Sequence, residues 1–320
     1  EDRRGELARS LLETADVVVE NFSAGILEKL GLSFESLAAA NPRLIMLRQP
    51  GFGSDGPEGG YVAFGNTIEG MSGLTAMLGP EGGPPYMMSN ALGDPVSGLT
   101  GTIAVLAALH AREQDGRGRL IECAQLEGFL PLVSAELIDY QVSGVVPQRR
   151  GNRRRGHEPS GLFRCSGDDQ WVALEVMDDE QWSALAALIG EPALGGRFVT
   201  ATGREAARGE VCALVERWTS SLSRDEVVEA CLAVDVAAAP VLNESDCLSA
   251  EHLAAAGFWE GSDRDVVGFH LYPSLPFRQG EFRPAPGAPA PLLGQHTAEV
   301  LAAMGHVEPQ LRELAAARVI

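Results

Sequence analysis

The chain has 320 residues, of which 45% are hydrophobic and 22% charged. This is ordinary globular usage, and it excludes a disordered chain and a small disulfide-stapled module. The formal net charge of −19 repels nucleic acid and anionic membranes at long range, so we expect neither as a partner. No apolar run reaches the roughly 18 residues that a membrane-spanning helix needs.

The five cysteines are odd in number and widely spaced. They form none of the close pairs that metal and redox sites use. We therefore expect reduced thiols, no metal site and a cytoplasmic protein, and the N-terminus has no secretory signal pattern. Because the chain does not begin with methionine, we expect it to be processed or to be part of a longer product.

The first predicted unit along the chain is a βαβ unit. A helix over residues 6–14 precedes an apolar run at Val17–Val19, and a helix over Phe34–Ala40 precedes a second apolar run at Leu44–Leu47. Continuous apolar runs separated by a helix are typical of parallel strands that are buried on both faces.

Residues 50–95 are rich in glycine and proline, and loops of this length inside a domain usually carry function or move. A short helix is predicted over Thr67–Leu74. The pair Asp94–Pro95 then starts the most hydrophobic helix, because aspartate favours the N-cap and proline the first helical position. A strand over Leu120–Cys123 and a helix over Leu126–Val142 follow.

The composition changes at the arginine-rich stretch 148–157, where we expect a domain boundary. Beyond it, two apolar runs flank the turn residues 166–169 and predict a β-hairpin. The other predicted elements are helices over 179–189, 204–220 and 224–233, an extended segment over 239–242, a helix over 247–255, an irregular proline-rich segment over 273–291, and helices over 297–304 and 309–317.

Asp94 is the most interesting carboxylate, because it stands where a loop enters an apolar helix. As a plain helix cap it would only stabilise the helix. As a covalent nucleophile it would benefit from the helix dipole and the backbone N–H groups, which keep a carboxylate ionised beside a ligand. The residues alone leave both interpretations open.

Two further features also have two interpretations each. The arginines within 149–155 suit the oxygens of a phosphate group, but a solvated linker between domains would have the same composition. The glycines within 51–60 allow a backbone to approach a ligand closely, and they serve equally well in plain turns. Dinucleotide, P-loop, metalloprotease and serine-hydrolase motifs are absent from the sequence.

Several short segments occur together in a fixed order. They are Ala15–Phe22, Leu30–Leu32, Asn41–Ile45, Gly51–Gly53, Met71–Leu74 and Gly93–Pro95, with further matches at Gly116–Gly118, Gly151–Asn152, Ala238–Val241 and Leu293–Thr297. In this order and spacing the sequence resembles the class III CoA-transferases, the CaiB/BaiF family, of the formyl-CoA transferase type. The resemblance covers essentially the whole chain.

For the fold, the resemblance implies an α/β protein of the interlocked-dimer CoA-transferase type, with a Rossmann-like parallel-sheet large domain and a smaller α/β domain. Residues 1–145 would form the large CoA-binding domain, 146–160 a linker, 161–243 the small α/β domain and 244–320 a C-terminal return to the large domain. The family normally begins with a further N-terminal segment, and the resemblance leads us to expect that this chain lacks it. We therefore expect an interlocked homodimer, with a missing N-terminal half or a partner chain to complete it.

For the activity, the resemblance implies a transferase that moves CoA between an acyl-CoA donor and a small carboxylic acid acceptor. Asp94 falls on the catalytic aspartate of the family, which forms a covalent aspartyl intermediate. The CoA-binding positions that the resemblance implies are Asn21, Phe22, Lys29, Leu30, Gly51, Phe52 and Gly53. CoA and acyl-CoA are then co-substrates, and we expect no tightly bound cofactor and no metal.

Two alternatives stay open from the sequence. A CoA-ester isomerase or racemase of the same fold pairs the aspartate with a histidine in a Gly-His-Asp segment, where this chain has Gly59-Gly60-Tyr61. Tyrosine is a poor base near neutral pH, so two-base proton transfer is not expected. The other alternative is a catalytically inactive half that needs a partner chain.

Overall fold

The structure is a computed structural model, which describes residues 3–281 and 287–320. The helices are α1 (Arg3–Thr14), α2 (Ile26–Lys29), α3 (Phe34–Ala40), α4 (Gly65–Ser72), α5 (Leu74–Met77), α6 (Gly93–Asp115), α7 (Gln125–Phe129), α8 (Ser134–Ser143), α9 (Asp179–Leu188), α10 (Pro192–Arg197), α11 (Ala201–Ala206), α12 (Arg208–Thr219), α13 (Arg224–Leu232), α14 (Glu244–Ser249), α15 (Glu251–Ala255), α16 (Thr297–Ala303) and α17 (Glu308–Ala316). The strands are β1 (Val17–Glu20), β2 (Ile45–Arg48), β3 (Arg119–Glu122), β4 (Ser160–Arg164), β5 (Trp171–Glu175), β6 (Ala237–Pro240), β7 (Trp259–Arg264) and β8 (Gly268–Pro273).

Packing divides the chain into two compact units. The first runs to Gly151 and includes Leu301–Ile320, and the second is Asn152–Val300. The domain bounds expected from the sequence stay a prediction. No helix within the described residues is long and apolar enough to cross a membrane.

The first unit is built on a parallel sheet in the order β1-β2-β3. Val18 pairs with Met46, and Leu47 pairs with Ile121, so the predicted βαβ pairing of β1 and β2 is confirmed. Every residue of the central strand β2 is buried, as expected for a strand of a covered parallel sheet. Leu37 of α3 is fully buried against Met46 and the rest of this core.

The second unit contains an antiparallel sheet in the order β4-β5-β6, and its β4–β5 hairpin agrees with the sequence prediction. Trp182 of α9 is fully buried in its apolar core. Arg204 is fully buried as well, and its guanidinium donates to the carbonyls of Glu158, Phe198 and Val199. Arg204 Nη1 also contacts Asp179 Oδ1 at 2.9 Å, and this ion pair together with the carbonyls offsets part of the cost of burying the charge.

Four features of the secondary structure differ from the sequence predictions. The helix predicted over 126–142 is broken by a 3-10 turn at Leu130–Val133, which contains a proline. The helix predicted over 204–220 is interrupted at Ala207, and the one predicted over 247–255 begins earlier, capped by Asn243. The β7–β8 hairpin was missed because β7 consists largely of polar and charged residues, and the alternation of Phe269 and Leu271 in β8 is too short to predict a strand by itself. The predicted irregular segment 273–291 includes residues 282–286, which lie outside the described residues.

We expect Gly118→Ala to destabilise the first unit. Gly118 precedes β3, and a Cβ built on it would overlap the carbonyl oxygen of Leu44 beside β2. The backbone has no room to accept this atom, so the free energy of unfolding should fall by roughly 1–3 kcal/mol, as for other overpacked cores. Urea denaturation followed by circular dichroism measures the change.

Gly128→Ala is the matched control. A Cβ on this glycine of α7 would meet only the Thr100 side chain at an ordinary 3.6 Å. Since alanine favours a helix interior over glycine, this variant should be as stable as the parent or more so. Equal stability of the two variants would contradict the assigned packing of β3 against β2.

Candidate active site

A cavity of about 540 Å³ opens in the first unit at the carboxyl ends of the parallel strands. Its walls are Val19, Asn21, Phe22, Ser23, Gln49, Gly51, Tyr61, Ala63, Phe64, Asp94, Ser97, Gly98 and Gln125. Three of its polar residues come after strand ends: Asn21 directly follows β1, Gln49 directly follows β2, and Gln125 follows β3 by three residues. Ligands of open parallel sheets bind at this edge.

Asp94 lies in the wall of this cavity, within the first turn of α6. The sequence predicted it as the N-cap, and this is wrong, because the helix already begins at Gly93 and Leu92 takes the cap position. The Asp94 N–H donates to the Ala91 carbonyl at 3.0 Å, which closes the turn before the helix. The Asp94 side chain is exposed and therefore reachable by a ligand in the cavity.

Two glycines bring α4 and α6 together at this point. A Cβ on Gly93 would lie 3.0 Å from the Gly65 carbonyl oxygen. A Cβ on Gly65 would lie 2.6 Å from the Ala91 Cβ and 2.8 Å from Asp94 Oδ2. The absence of both side chains lets the carboxylate of Asp94 lie beside the first residue of α4.

The electrostatic surroundings of Asp94 suit a negative charge. The carboxylate belongs to the first turn of α6 and lies beside the first residue of α4, so the positive ends of two helix dipoles face it. An exposed carboxylate in this position can be reached by an electrophilic carbonyl in the cavity.

A buried ion-pair network fixes the loop after β1. Arg48 Nε contacts Glu20 Oε1 at 3.0 Å, and Arg48 Nη2 contacts Glu28 Oε1 at 2.5 Å. The second oxygen of Glu20 accepts the Phe22 N–H at 2.9 Å. Burial raises the pKa of the Glu20 carboxyl, although the Phe22 N–H and the Arg48 charge act in the opposite direction. The network holds the backbone of Asn21 and Phe22 at the cavity wall.

Two buried glutamines of the cavity were missed by the sequence analysis. Gln49 donates through Nε2 to the Ser97 carbonyl at 2.7 Å, and Gln125 donates through Nε2 to the Gln49 carbonyl at 3.0 Å. They join the end of β2 to α6 and to α7. The available signal was the position of Gln49 directly after an apolar strand, because polar residues at the ends of parallel strands commonly line sites. Gln125 lies three residues beyond the end of β3.

The structure brings four of the predicted site residues into one cavity, namely Asn21, Phe22, Gly51 and Asp94. Lys29 ends α2 and Leu30 follows it; both side chains are exposed, and neither is among the residues that line the cavity.

The other two predicted residues lie next to a wall of the cavity. Phe52 packs edge-on against the cavity residue Tyr61, with ring centroids 6.2 Å apart. Gly53 has a φ of 82°, a left-handed conformation that favours glycine, so it serves the turn.

Three arginines of the 149–155 stretch contact other protein groups. Arg149 donates to the carbonyls of Ala76 and Gly83, both at 2.9 Å. Arg153 pairs with the carboxylates of Glu158 and Glu205, and Arg154 pairs with Glu175. These contacts favour the structural interpretation of the stretch over a phosphate site.

No group of three or more metal-ligating side chains occurs within the described parts of the chain, 3–281 and 287–320. All five cysteines are free thiols. The cavity contains a carboxylate that is flanked by helix ends, backbone groups and amides.

The fold and the cavity define an α/β protein with a carboxylate site at the ends of parallel strands, and sequence comparison gives its family. The profile of CoA-transferase family III matches residues 1–297. The chain belongs to this family and is a class III CoA-transferase. It is 34% identical to the succinyl-CoA–L-malate CoA-transferase beta subunit of Chloroflexus aurantiacus, covering 98% of this chain and 78% of that one.

One further relative and one solved structure support the same family. The formyl-CoA:oxalate CoA-transferase of Shigella sonnei is 28% identical, over 96% of this chain and 79% of the relative. A CaiB/BaiF family protein from Brucella suis has a similar structure, with a TM-score of 0.84 and 30% identity, covering 94% of this chain and 78% of that one. The family that the sequence motifs indicated is thereby confirmed.

We expect Gly65→Ala to displace the Asp94 carboxylate, because the new methyl group would occupy the space beside Asp94 Oδ2. Misplacement of a reacting group by about 1 Å lowers the rate roughly 100-fold. Steady-state CoA transfer should therefore show a lower kcat.

Gly70→Ala is the control on the same helix, because a Cβ there meets nothing within 4 Å. Its kcat should equal that of the parent. An unchanged kcat in Gly65→Ala would contradict the packing of α4 against Asp94.

Proposed function

We propose that this enzyme transfers CoA from an acyl-CoA donor to a carboxylic acid acceptor through a covalent intermediate on Asp94. The observation that carries the proposal is the exposed Asp94 carboxylate in the wall of a cavity that also contains Asn21, Phe22 and Gly51. The family comparison supports CoA esters as co-substrates.

In the first half-reaction, an Asp94 oxygen attacks the thioester carbonyl of the donor. The C–S bond breaks, which leaves a mixed anhydride on Asp94 and a CoA thiolate. The thiolate then attacks the Asp94 carbonyl, so that an aspartyl-CoA thioester forms and the donor acid leaves with one former Asp94 oxygen. The thioester bond is conserved as long as water does not reach the intermediate.

In the second half-reaction, the acceptor carboxylate attacks the aspartyl-CoA thioester and releases CoA thiolate again. The thiolate attacks the acceptor carbonyl of the new anhydride, which gives the product acyl-CoA and regenerates the Asp94 carboxylate. One oxygen of the acceptor stays on Asp94. The positive helix ends beside Asp94 favour the negative charge that develops on its carbonyl oxygen in the two attacks that occur there, by CoA thiolate on the first anhydride and by the acceptor carboxylate on the aspartyl-CoA thioester.

For binding, we propose that Asn21 and Phe22 contact the adenine and pantetheine parts of CoA, and that Leu30 and the Gly51–Gly53 turn complete the groove. The half-exposed Phe22 ring and the fixed loop after β1 support this role. Lys29, the only lysine of the chain, would contact the CoA phosphates, since an acidic protein needs a local cation for a polyanionic ligand.

The first donors to test are succinyl-CoA and formyl-CoA, because both occur in the names of the relatives. A small carboxylic acid is the proposed acceptor. We further propose that the chain works as a dimer or with a partner chain. The exposed apolar residues Leu99, Ile103 and Leu106 on one face of α6 support association through that helix.

Asp94→Asn should lower kcat roughly 1,000-fold or more, because an amide is not a nucleophile towards thioesters. Asp115→Asn, at the exposed far end of the same helix, is the matched control and should retain activity. Both rates are measured with succinyl-CoA and a panel of small carboxylic acids.

Isotope transfer tests the intermediate itself. With an acceptor labelled by ¹⁸O in its carboxylate, turnover should place ¹⁸O in Asp94. Cleavage after glutamate releases peptide 82–113, in which Asp94 is the only aspartate, and its mass reports the label. Turnover without label in this peptide would contradict the covalent mechanism.

Lys29→Ala should raise the KM for acyl-CoA roughly tenfold with little change in kcat, because one charge-assisted contact to a phosphate is lost. Lys29→Arg keeps the charge and should stay close to the parent. Since Lys29 is the only lysine, CoA should also protect it from an amine-acetylating reagent, read by mass spectrometry. Equal acetylation with and without CoA would contradict this role.

A further inference from the structure

Glu69 is a buried carboxyl group that the proposed mechanism does not use. It lies on α4, its side chain is fully buried, and it does not line the cavity. Its Oε1 accepts the Leu92 N–H at 2.5 Å. Its Oε2 is buried and, among the residues that the structure describes, has no hydrogen-bond partner. Burying a carboxyl oxygen without a hydrogen-bond partner costs free energy. The presence of Glu69 at this place therefore needs an explanation, and its contact to Leu92 offers one.

The contact provides a hydrogen-bond acceptor for a backbone N–H at the start of α6, where the cap residue has no side-chain acceptor of its own. The first N–H groups of a helix have no partner within the helix, and a side chain at the N-cap normally accepts one of them. Here the N-cap residue is Leu92, whose side chain has no acceptor, and no side-chain cap is formed from that position. Glu69 accepts the N–H of this cap residue from a neighbouring helix.

The backbone just before Leu92 is strained. Ala91 has a φ of 44°, in the left-handed region that side chains other than glycine rarely adopt. Such a conformation persists only where surrounding contacts hold it. Two contacts hold it here: the Asp94 N–H donates to the Ala91 carbonyl, and Glu69 accepts the Leu92 N–H. The strained turn leads directly into Asp94.

We propose that Glu69 is a positioning residue for Asp94: through Leu92 it fixes the Ala91–Gly93 turn, and so it sets where the first turn of α6 presents the carboxylate. This inference rests on the proposed role of Asp94 as the nucleophile. Glu69 itself takes no part in bond formation. Its contribution is a hydrogen-bond acceptor at a fixed place, which a glutamine can also supply and a methionine of similar length cannot.

The test compares Glu69→Gln and Glu69→Met, with Ser72→Ala as control. Ser72 is a buried hydroxyl at the other end of α4 that contacts the Glu69 carbonyl and the Leu74 N–H but not Leu92. Its loss should weaken α4 without moving Asp94. The first readout is hydrogen exchange at the Leu92 amide, which reports the hydrogen bond whether or not Asp94 is the nucleophile. The second is the rate of acyl transfer to Asp94, measured on peptide 82–113 after hydroxylamine trapping.

In Glu69→Met, the Leu92 amide should exchange faster, and labelling of Asp94 and kcat should fall roughly 100-fold, with the KM for acyl-CoA close to that of the parent. Glu69→Gln should restore protection and rate, and Ser72→Ala should keep the parental kcat. The proposal is overturned if Glu69→Met labels Asp94 at the parental rate, or if Glu69→Gln is as slow as Glu69→Met.

The unmodified protein provides a measurement that does not depend on any variant folding. Its Leu92 amide should exchange slowly, like the amides inside α6, and fast exchange would overturn the proposal. Absence of label on Asp94 in the unmodified enzyme has a different meaning. It would refute the proposed function, while the exchange data would still report whether Glu69 holds the turn.

Discussion

The close approach of α4 and α6 at Gly65 and Gly93 is the constraint on which the candidate site depends. Neither helix carries a side chain at the contact, so the backbones meet and the first turn of α6 lies against the first residue of α4. This contact places Asp94 between two helix N-termini, whose dipoles both favour negative charge. A larger residue at either glycine would separate the helices and remove the second dipole from the carboxylate.

The parallel sheet supplies several of the polar residues that line the cavity beside the contact between α4 and α6. Because the carboxyl ends of β1, β2 and β3 lie at one edge, the chain leaves the sheet there three times, and each exit supplies a polar residue to the cavity. The amides of Gln49 and Gln125 then join two of these exits to each other and to α6. The Arg48–Glu20 pair fixes the remaining exit. The site is thus held by hydrogen bonds that run across the sheet edge.

The sequence predicted those parts of the fold that local pattern determines. The runs Val17–Val19 and Leu44–Leu47 predicted parallel strands because apolar residues fill both faces. Asp94 was singled out because it stands where a loop enters an apolar helix, and the family motif around it implied its role. The exact start of α6 was mispredicted, since an Asp–Pro pair resembles a capped start, whereas Leu92 takes the cap position and its N–H donates to Glu69, which is distant in sequence. The roles of Gln49, Gln125 and Glu69 depend on contacts between separate elements, which no local pattern encodes.

The order of strands in the sheet also determines when the site can form. β1 and β2 are close in sequence, so their pairing closes a short loop, whereas β3 joins only after residues 49–118 have been enclosed. Closing a longer loop costs more chain entropy, and non-local pairing of this kind slows folding. Asp94 and the glycine contact lie inside that enclosed stretch. The pairing of β1 with β2 therefore encloses much less chain than the pairing of β3 with β2, on which the candidate site depends.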